Sequence, residues 1–259
     1  MRPSIRLMAA FFALMLMSLP VLAAEAWPTD ATTEIGSATR TLSPDIEPSG
    51  LAWHSGRNQL LMVGDEGQLV AMDKDGSNPV LWNVGGDLED VAIQNPSSNY
   101  VFLADEDGRI IKYDLARSRT VKSWDVTAWM PEVNGAGMEA LTYAEGYFYA
   151  GYQANGKIYK LRLRNGQMTK VGEIAGPSGY TDLSGLHYRD GYLYALYSST
   201  LFVMKTDGTV MTSYSVPGSD QEGLALGADS NGDGDADMYI AEDSSGNVYS
   251  YDNFPIYGR

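Results

Sequence analysis

Acidic and hydroxyl side chains recur at one position of a repeated segment, and that recurrence is the strongest chemical signal in the chain. The segments are Glu47-Pro48-Ser49-Gly50-Leu51-Ala52, Asp87-Leu88-Glu89-Asp90-Val91-Ala92, Gly137-Met138-Glu139-Ala140-Leu141-Thr142, Asp182-Leu183-Ser184-Gly185-Leu186-His187 and Asp220-Gln221-Glu222-Gly223-Leu224-Ala225. Their third residues are Ser49, Glu89, Glu139, Ser184 and Glu222. Gathered at one point where water is scarce, three carboxylates would repel strongly and would have to take up protons or a cation. A hard cation suits so many oxygens, and calcium accepts about 6–8 of them in flexible geometry. Magnesium asks for fewer and tighter ligands. Zinc would be expected to recruit His, and the chain has only 2, His54 and His187. The competing reading is that these residues bond neighbouring backbone amides at strand starts.

Two further acidic groups stand out. Between residues 229 and 237 runs Asp229-Ser230-Asn231-Gly232-Asp233-Gly234-Asp235-Ala236-Asp237. Asp229, Asn231 and Asp233 alternate, Gly234 permits a bend, and Asp235 and Asp237 complete an oxygen-rich stretch fit for a second calcium ion. The twelfth position is Ile240 rather than Glu, so an EF-hand is rejected; an Asp-rich turn without an ion is the competing reading. A third group follows a strand-like run in each repeat: Asp65, Asp105 and Glu242, with Tyr152 and Tyr197 in the corresponding places. These five are candidates for an acidic, Tyr-bearing ligand-binding face, although ordinary solvated turns account for them equally well.

The elements that must position these groups follow from the spacing. The fourth residues of the repeat starts fall at 50, 90, 140, 185 and 223, intervals of 40, 50, 45 and 38. That is the period of a propeller blade, longer than a helical repeat of about 34. Each start leads into an apolar run, a second such as Tyr147-Phe148-Tyr149-Ala150, a third such as Arg109-Ile110-Ile111-Lys112-Tyr113, and in four repeats a weaker fourth. Short β-branched and aromatic runs between turn residues are strands. The fifth repeat stops near Phe254, and the alternating stretch 34–42 is expected to supply its outer strand and close the ring, which removes exposed edges. The expectation is an all-β, single five-bladed β-propeller of four-stranded antiparallel blades over residues 33–259. First strands line a propeller's channel, so the five repeat starts should converge on its axis.

Composition and targeting narrow the function. The absence of Cys excludes disulfides, Cys-ligated metal and a thiol nucleophile. A net charge of −15 argues against nucleic acid, whose binding rests on neutralising phosphates, and favours neutral or cationic partners. Met1-Arg2-Pro3-Ser4-Ile5-Arg6, an apolar run from Leu7 to Leu19 and the small residues Ala23-Ala24 read as a signal peptide over 1–23, followed by a linker over 24–32. Losing Arg2 and Arg6 leaves 16 basic against 33 acidic residues, a charge of −17. The mature chain should be periplasmic or secreted, without a membrane span, and a monomer.

At Glu47–Ala52, Asp87–Ala92 with Leu103-Ala104-Asp105-Glu106, and Asp220–Ala225 with Ile240-Ala241-Glu242-Asp243, the chain resembles the SdiA-regulated family of exported bacterial five-bladed propellers. That resemblance implies the fold and export but no reaction. A more distant likeness is to the soluble calcium-activated nucleotidases (apyrases), whose tunnel calcium is held by a ring similar to Ser49, Glu89, Glu139, Ser184 and Glu222. The Asp229–Asp237 stretch is similar to the calcium hairpins of integrin-type blades. Two functions follow. One is a calcium-binding scaffold acting on a small molecule or exported protein through its acidic face. The other is a metal-dependent, nucleotidase- or phytase-like hydrolase of phosphate or ester bonds. Scattered Arg57, Arg109, Lys112 and Lys157 and the lack of a phosphate loop favour the scaffold. Catalytic residues are not assigned. His54 and His187 suit packing, and no Gly-x-Ser-x-Gly elbow exists.

Overall fold

Five interfaces between sheets define the architecture. The computed structural model describes residues 23–29, 32–36, 46–229, 232–243 and 245–259, so residues 1–22 of the expected signal peptide and Asn231 of the acidic hairpin lie outside the described residues. Blade one comprises β2 (Pro48–His54), β3 (Gln59–Gly64), β4 (Gln68–Met72) and β5 (Val80–Asn83). Blade two comprises β6 (Leu88–Ala92), β7 (Tyr100–Asp105), β8 (Arg109–Asp114) and β9 (Arg119–Asp125). Blade three comprises β10 (Met138–Ala144), β11 (Tyr147–Tyr152), β12 (Lys157–Arg164) and β13 (Gln167–Ile174), and blade four β14 (Leu183–Arg189), β15 (Tyr192–Tyr197), β16 (Thr200–Lys205) and β17 (Val210–Ser215). In blade five, β18 (Gln221–Leu226), β19 (Asp235–Glu242) and β20 (Asn247–Pro255) are completed by β1 (Thr32–Glu34) from the other end of the chain.

The middle strands read as unbroken apolar runs because both of their faces meet a neighbouring blade. Leu60, Leu61, Met62 and Val63 of β3 are all fully buried. Each of the five core clusters joins two adjacent blades: Phe102 and Trp124 of blade two meet Phe148 of blade three, and Leu51 and Met62 of blade one meet Tyr239 and Val248 of blade five. The last junction closes the circle.

The closing strand lies earlier than the expected stretch 34–42. Thr32, Thr33 and Glu34 pair with Tyr251, Ser250 and Tyr249. Ile35 then anchors the strand, donating its N–H to the Val248 carbonyl at 2.8 Å and burying its side chain between blades five and one. Residues 37–45 are outside the described set. Upstream, the Glu25 N–H donates to the Ser213 carbonyl at 2.8 Å, and Trp27 packs against Tyr214, Tyr251 and Phe254. The N-terminal segment therefore ties blade four to blade five.

The five inner strands pack backbone to backbone at the axis, which explains the small residue (Gly50, Ala140, Gly185, Gly223) after four of the five recurring acids and serines. A Cβ on Gly50 would collide with the Asp90 Cα and the Glu89 carbonyl, and one on Gly223 with the Ser49 carbonyl and the Gly50 Cα. Backbone cannot yield as a side-chain tip can, so Gly223→Ala should cost about 3 kcal/mol, the upper end of ordinary overpacking. Urea unfolding of the variant checks this.

Candidate metal centre

Each inner strand begins with the same irregularity. Its pairing with the second strand slips between Pro48 and Leu51, Leu88 and Asp90, Met138 and Ala140, Leu183 and Gly185, and Gln221 and Leu224. The residues left out of register include Ser49, Glu89, Glu139, Ser184 and Glu222. A bulge leaves a residue unpaired and re-aims its side chain, so five equivalent bulges turn five equivalent residues toward one mouth of the channel. Ser49, Glu89, Glu139 and Glu222 line a common cavity of about 220 Å³ there. Ser184 lines the adjoining groove instead, and its hydroxyl donates to the Gln221 carbonyl at 2.8 Å.

A second tier of acids comes from the residue after each second strand. The pairs Pro48–Gly64, Leu88–Asp105, Met138–Tyr152, Leu183–Tyr197 and Gln221–Glu242 set the equivalences. One position further on stand Asp65, Glu106, Gln153, Ser198 and Asp243. The backbone there folds back alike: Glu106 donates its N–H to the Asp87 carbonyl, Gln153 to Gly137, Ser198 to Asp182 and Asp243 to Asp220, at 2.9–3.1 Å. Asp65, Glu106, Gln153 and Asp243 line the cavity, and so does Asp87.

Of the five residues expected on the ligand-binding face, only Asp65 reaches this cavity. Asp105 is buried in an ion pair with Arg109 at 2.9 Å. The Tyr152 hydroxyl donates to the Pro131 carbonyl at 2.8 Å and that of Tyr197 to Gly156 at 2.7 Å. Glu242 is buried and accepts from the Ser245 hydroxyl at 3.1 Å. These four are the last residues of their strands, whose side chains point between blades. Blade one ends its strand on Gly64, so its acid falls one position later than the others. Glu106 and Asp243 stand one position beyond Asp105 and Glu242 in the same turns, and strand register is the signal that selects them; Asp87 opens the second repeat start.

In the acidic hairpin, Asp229 is held by its own loop and by the C-terminal residue. The Asp229 carboxylate accepts from the Gly232 and Gly234 amides at 2.6 and 3.2 Å and pairs with Arg259 at 3.1 Å. Asp233 accepts from the Asp235 amide at 3.0 Å, while Asp235 and Asp237 already belong to β19.

Acid oxygens converge at the channel mouth. One oxygen each from Asp65, Asp87 and Glu89 lie within 4.8 Å of one another, as do oxygens from Glu47, Asp65 and Asp243; among the described residues these are the acidic clusters tight enough for an ion. The Ser49 hydroxyl donates to Asp65. Burial, reinforced by the charge of Glu139, pushes Glu89 far above the usual carboxylate range, and Glu89 shares a hydrogen bond with Glu139. Burial likewise raises Glu139 and Glu106 to about 7 and, with the Glu139 charge second, Glu222 to about 8. A carboxyl raised in the folded state adds stability that is complete below its unfolded value and is lost as pH rises through its folded value. Ion-free protein should therefore lose stability between about pH 4.5 and 8, counter to ordinary acid denaturation, and melting curves across that window in chelator measure it.

Asp90, next to Glu89, is buried among the inner strands. Its carboxylate accepts the Val91 and Leu141 amides, each at 2.7 Å, and the Leu186 amide, so one side chain joins the inner strands of blades two, three and four. His54 is fully buried; His187 borders a separate pocket at the opposite mouth, where burial lowers it to about 3 and keeps the ring neutral.

Known proteins fit this architecture. The Myxococcus xanthus glutaminyl cyclase structure is similar, with a TM-score of 0.63 and 13% identity over 86% of this chain and 94% of that one, a likeness of fold alone. A chain of the mitotic checkpoint complex is similar at a TM-score of 0.49 and 11% identity, over 94% of this chain and 73% of that one. No curated protein matches. The family described as outer membrane protein assembly factor BamB matches residues 24–253, nearly the whole propeller, and this five-bladed bacterial chain belongs to that family.

Proposed function

We propose that this protein is an exported binding or scaffold propeller whose acidic channel mouth holds a hard cation, calcium above all. One observation carries the reading: seven of the ten residues lining the cavity are Asp or Glu, and none is Lys or Arg. Asp65, Asp87 and Glu89 would hold the ion, whose charge would balance the carboxylates of Glu139 and Glu222 beside it. Calcium's tolerance of irregular oxygen sets suits five bulges that approximate a ring without perfect symmetry. The ion would complete the face and present it to a small molecule or exported partner. Family membership supports export and a binding role, and no helix among the described residues is long and apolar enough to cross a membrane.

The hydrolase reading needs cationic groups to hold phosphate, and the cavity offers only the ion itself. Calorimetric titration of calcium into chelator-stripped protein tests the proposal. One ion per chain is expected, with affinity at least about tenfold weaker in Glu139→Gln and no turnover of nucleoside triphosphates. Calcium-dependent turnover abolished by Glu139→Gln would replace the scaffold with an enzyme. Absence of binding would overturn both.

A further inference from the structure

Glu242 is a buried carboxylate without a countercharge. It is 6% exposed, its Oε2 accepts from the Ser245 hydroxyl at 3.1 Å, and no Lys or Arg among the described residues forms an ion pair with it. Taking a carboxylate out of water without a cation is costly, and buried acids are ordinarily paired.

The equivalent acid of blade two shows what is missing. Asp105 and Glu242 both end the second strand of their blade, and across the ladder Asp105 faces Arg109 where Glu242 faces Asn247. The Arg109 guanidinium answers Asp105 twice, from Nε at 3.3 Å and from Nη2 at 2.9 Å. The Asn247 amide carries no charge and donates to the Tyr249 hydroxyl at 3.0 Å. A glycine of positive φ stands against each acid, Gly86 at +90° and Gly218 at +89°; a Cβ on the first would collide with Asp105 Oδ2, and on the second with Glu242 Oε1. In blade two the space beside that glycine holds the guanidinium, whose Nη2 lies 3.7 Å from the Gly86 Cβ position. In blade five Gly218 borders a pocket of about 460 Å³, walled by Trp27, Pro217, Tyr249 and Tyr251, with Glu242 as its one charged residue.

Both size and lining suit an organic ligand, since such sites run to roughly 300–1,000 Å³ and set a few polar groups among aromatic walls. Aromatic faces attract cations. A guanidinium is planar, stacks on such faces and still presents N–H donors to a carboxylate.

We propose that this pocket binds a guanidinium group carried by a ligand, in the role that Arg109 fills in blade two. Glu242 does not line the acid cavity at the channel mouth, so the site stands or falls independently of an ion there. A free guanidino compound and an arginine side chain of a polypeptide present the same group.

Calorimetric titration of butylguanidine, of the blocked peptide acetyl-Gly-Arg-Gly-amide and of choline, at about 0.15 M salt to screen diffuse attraction, tests the proposal. Both guanidines should bind at one site and more tightly than choline, which is cationic but has no N–H. Tighter butylguanidine points to a free compound as the source, and tighter peptide to a polypeptide. Glu242→Gln, which keeps an acceptor for Ser245, should weaken both at least about tenfold. Asn247→Arg, which gives blade five the guanidinium of blade two, should abolish binding; melting curves confirm that each variant is folded. Asp75→Asn, an exposed acid outside the pocket, should change nothing, and an equal loss there would reduce the effect to net charge and overturn the site. Choline binding as tightly as the guanidines, or binding indifferent to both Glu242→Gln and Asn247→Arg, would overturn the assignment. So would failure of both guanidines to bind, whatever calcium does at the channel mouth.

Discussion

Glu139→Gln should stabilise the protein in chelator and destabilise it in calcium. Without an ion, Glu139 is buried beside Glu89, and its charge raises the proton affinity of both Glu89 and Glu222. Replacing it with a neutral isostere removes that repulsion, so the ion-free melting temperature should rise by a few degrees. With calcium at about a hundred times its dissociation constant, the native state of the unaltered protein gains about 2.7 kcal/mol. The variant, at least about tenfold weaker in binding, would forfeit about 1.4 kcal/mol of that gain at saturating calcium. Differential scanning fluorimetry of both proteins in both conditions measures the crossing. A structural Glu with no ion to hold would show the same sign in each.

Asp90→Ala should be the most damaging single substitution at the axis, costing about 3–6 kcal/mol. The change strands the buried amides of Val91, Leu141 and Leu186, and each unpaired amide costs about 1–3 kcal/mol. For a domain of this size that corresponds to a fall of about 10 °C or more in melting temperature. Asp90→Asn keeps one carbonyl acceptor and should lose less than half as much. Urea unfolding of the two variants separates this role from simple packing, because a purely steric plug would tolerate Asn without loss.

The fold was legible because five copies of one pattern repeat. Apolar runs such as Tyr147-Phe148-Tyr149-Ala150, and the Gly or Ala at the axis in four blades, reflect demands for burial on both faces and close approach at the axis. The closing strand was located only roughly, because Thr32–Glu34 is short and its place is fixed by Ile35 packing against another blade. In the site, the bulge positions stood out as a column of Ser and Glu. The second tier did not. Asp65 and Asp105 look equivalent as the first acid after a strand, yet the strands end at Gly64 and Asp105, so Asp65 matches Glu106. A one-residue slip sends a side chain from the channel to a blade interface, and only cross-strand pairing reveals it. In the hairpin the Asp spacing suits calcium, and Arg259, 30 residues from Asp229 in sequence, adds a charge partner that no local spacing announces.

Anomalous diffraction from crystals grown with calcium would test the central claim most directly. One peak is expected at the channel mouth, about 2.3–2.6 Å from carboxylate oxygens of Asp65, Asp87 and Glu89. A channel mouth without a peak in saturating calcium, or an ion held solely by the hairpin at Asp229, would contradict it.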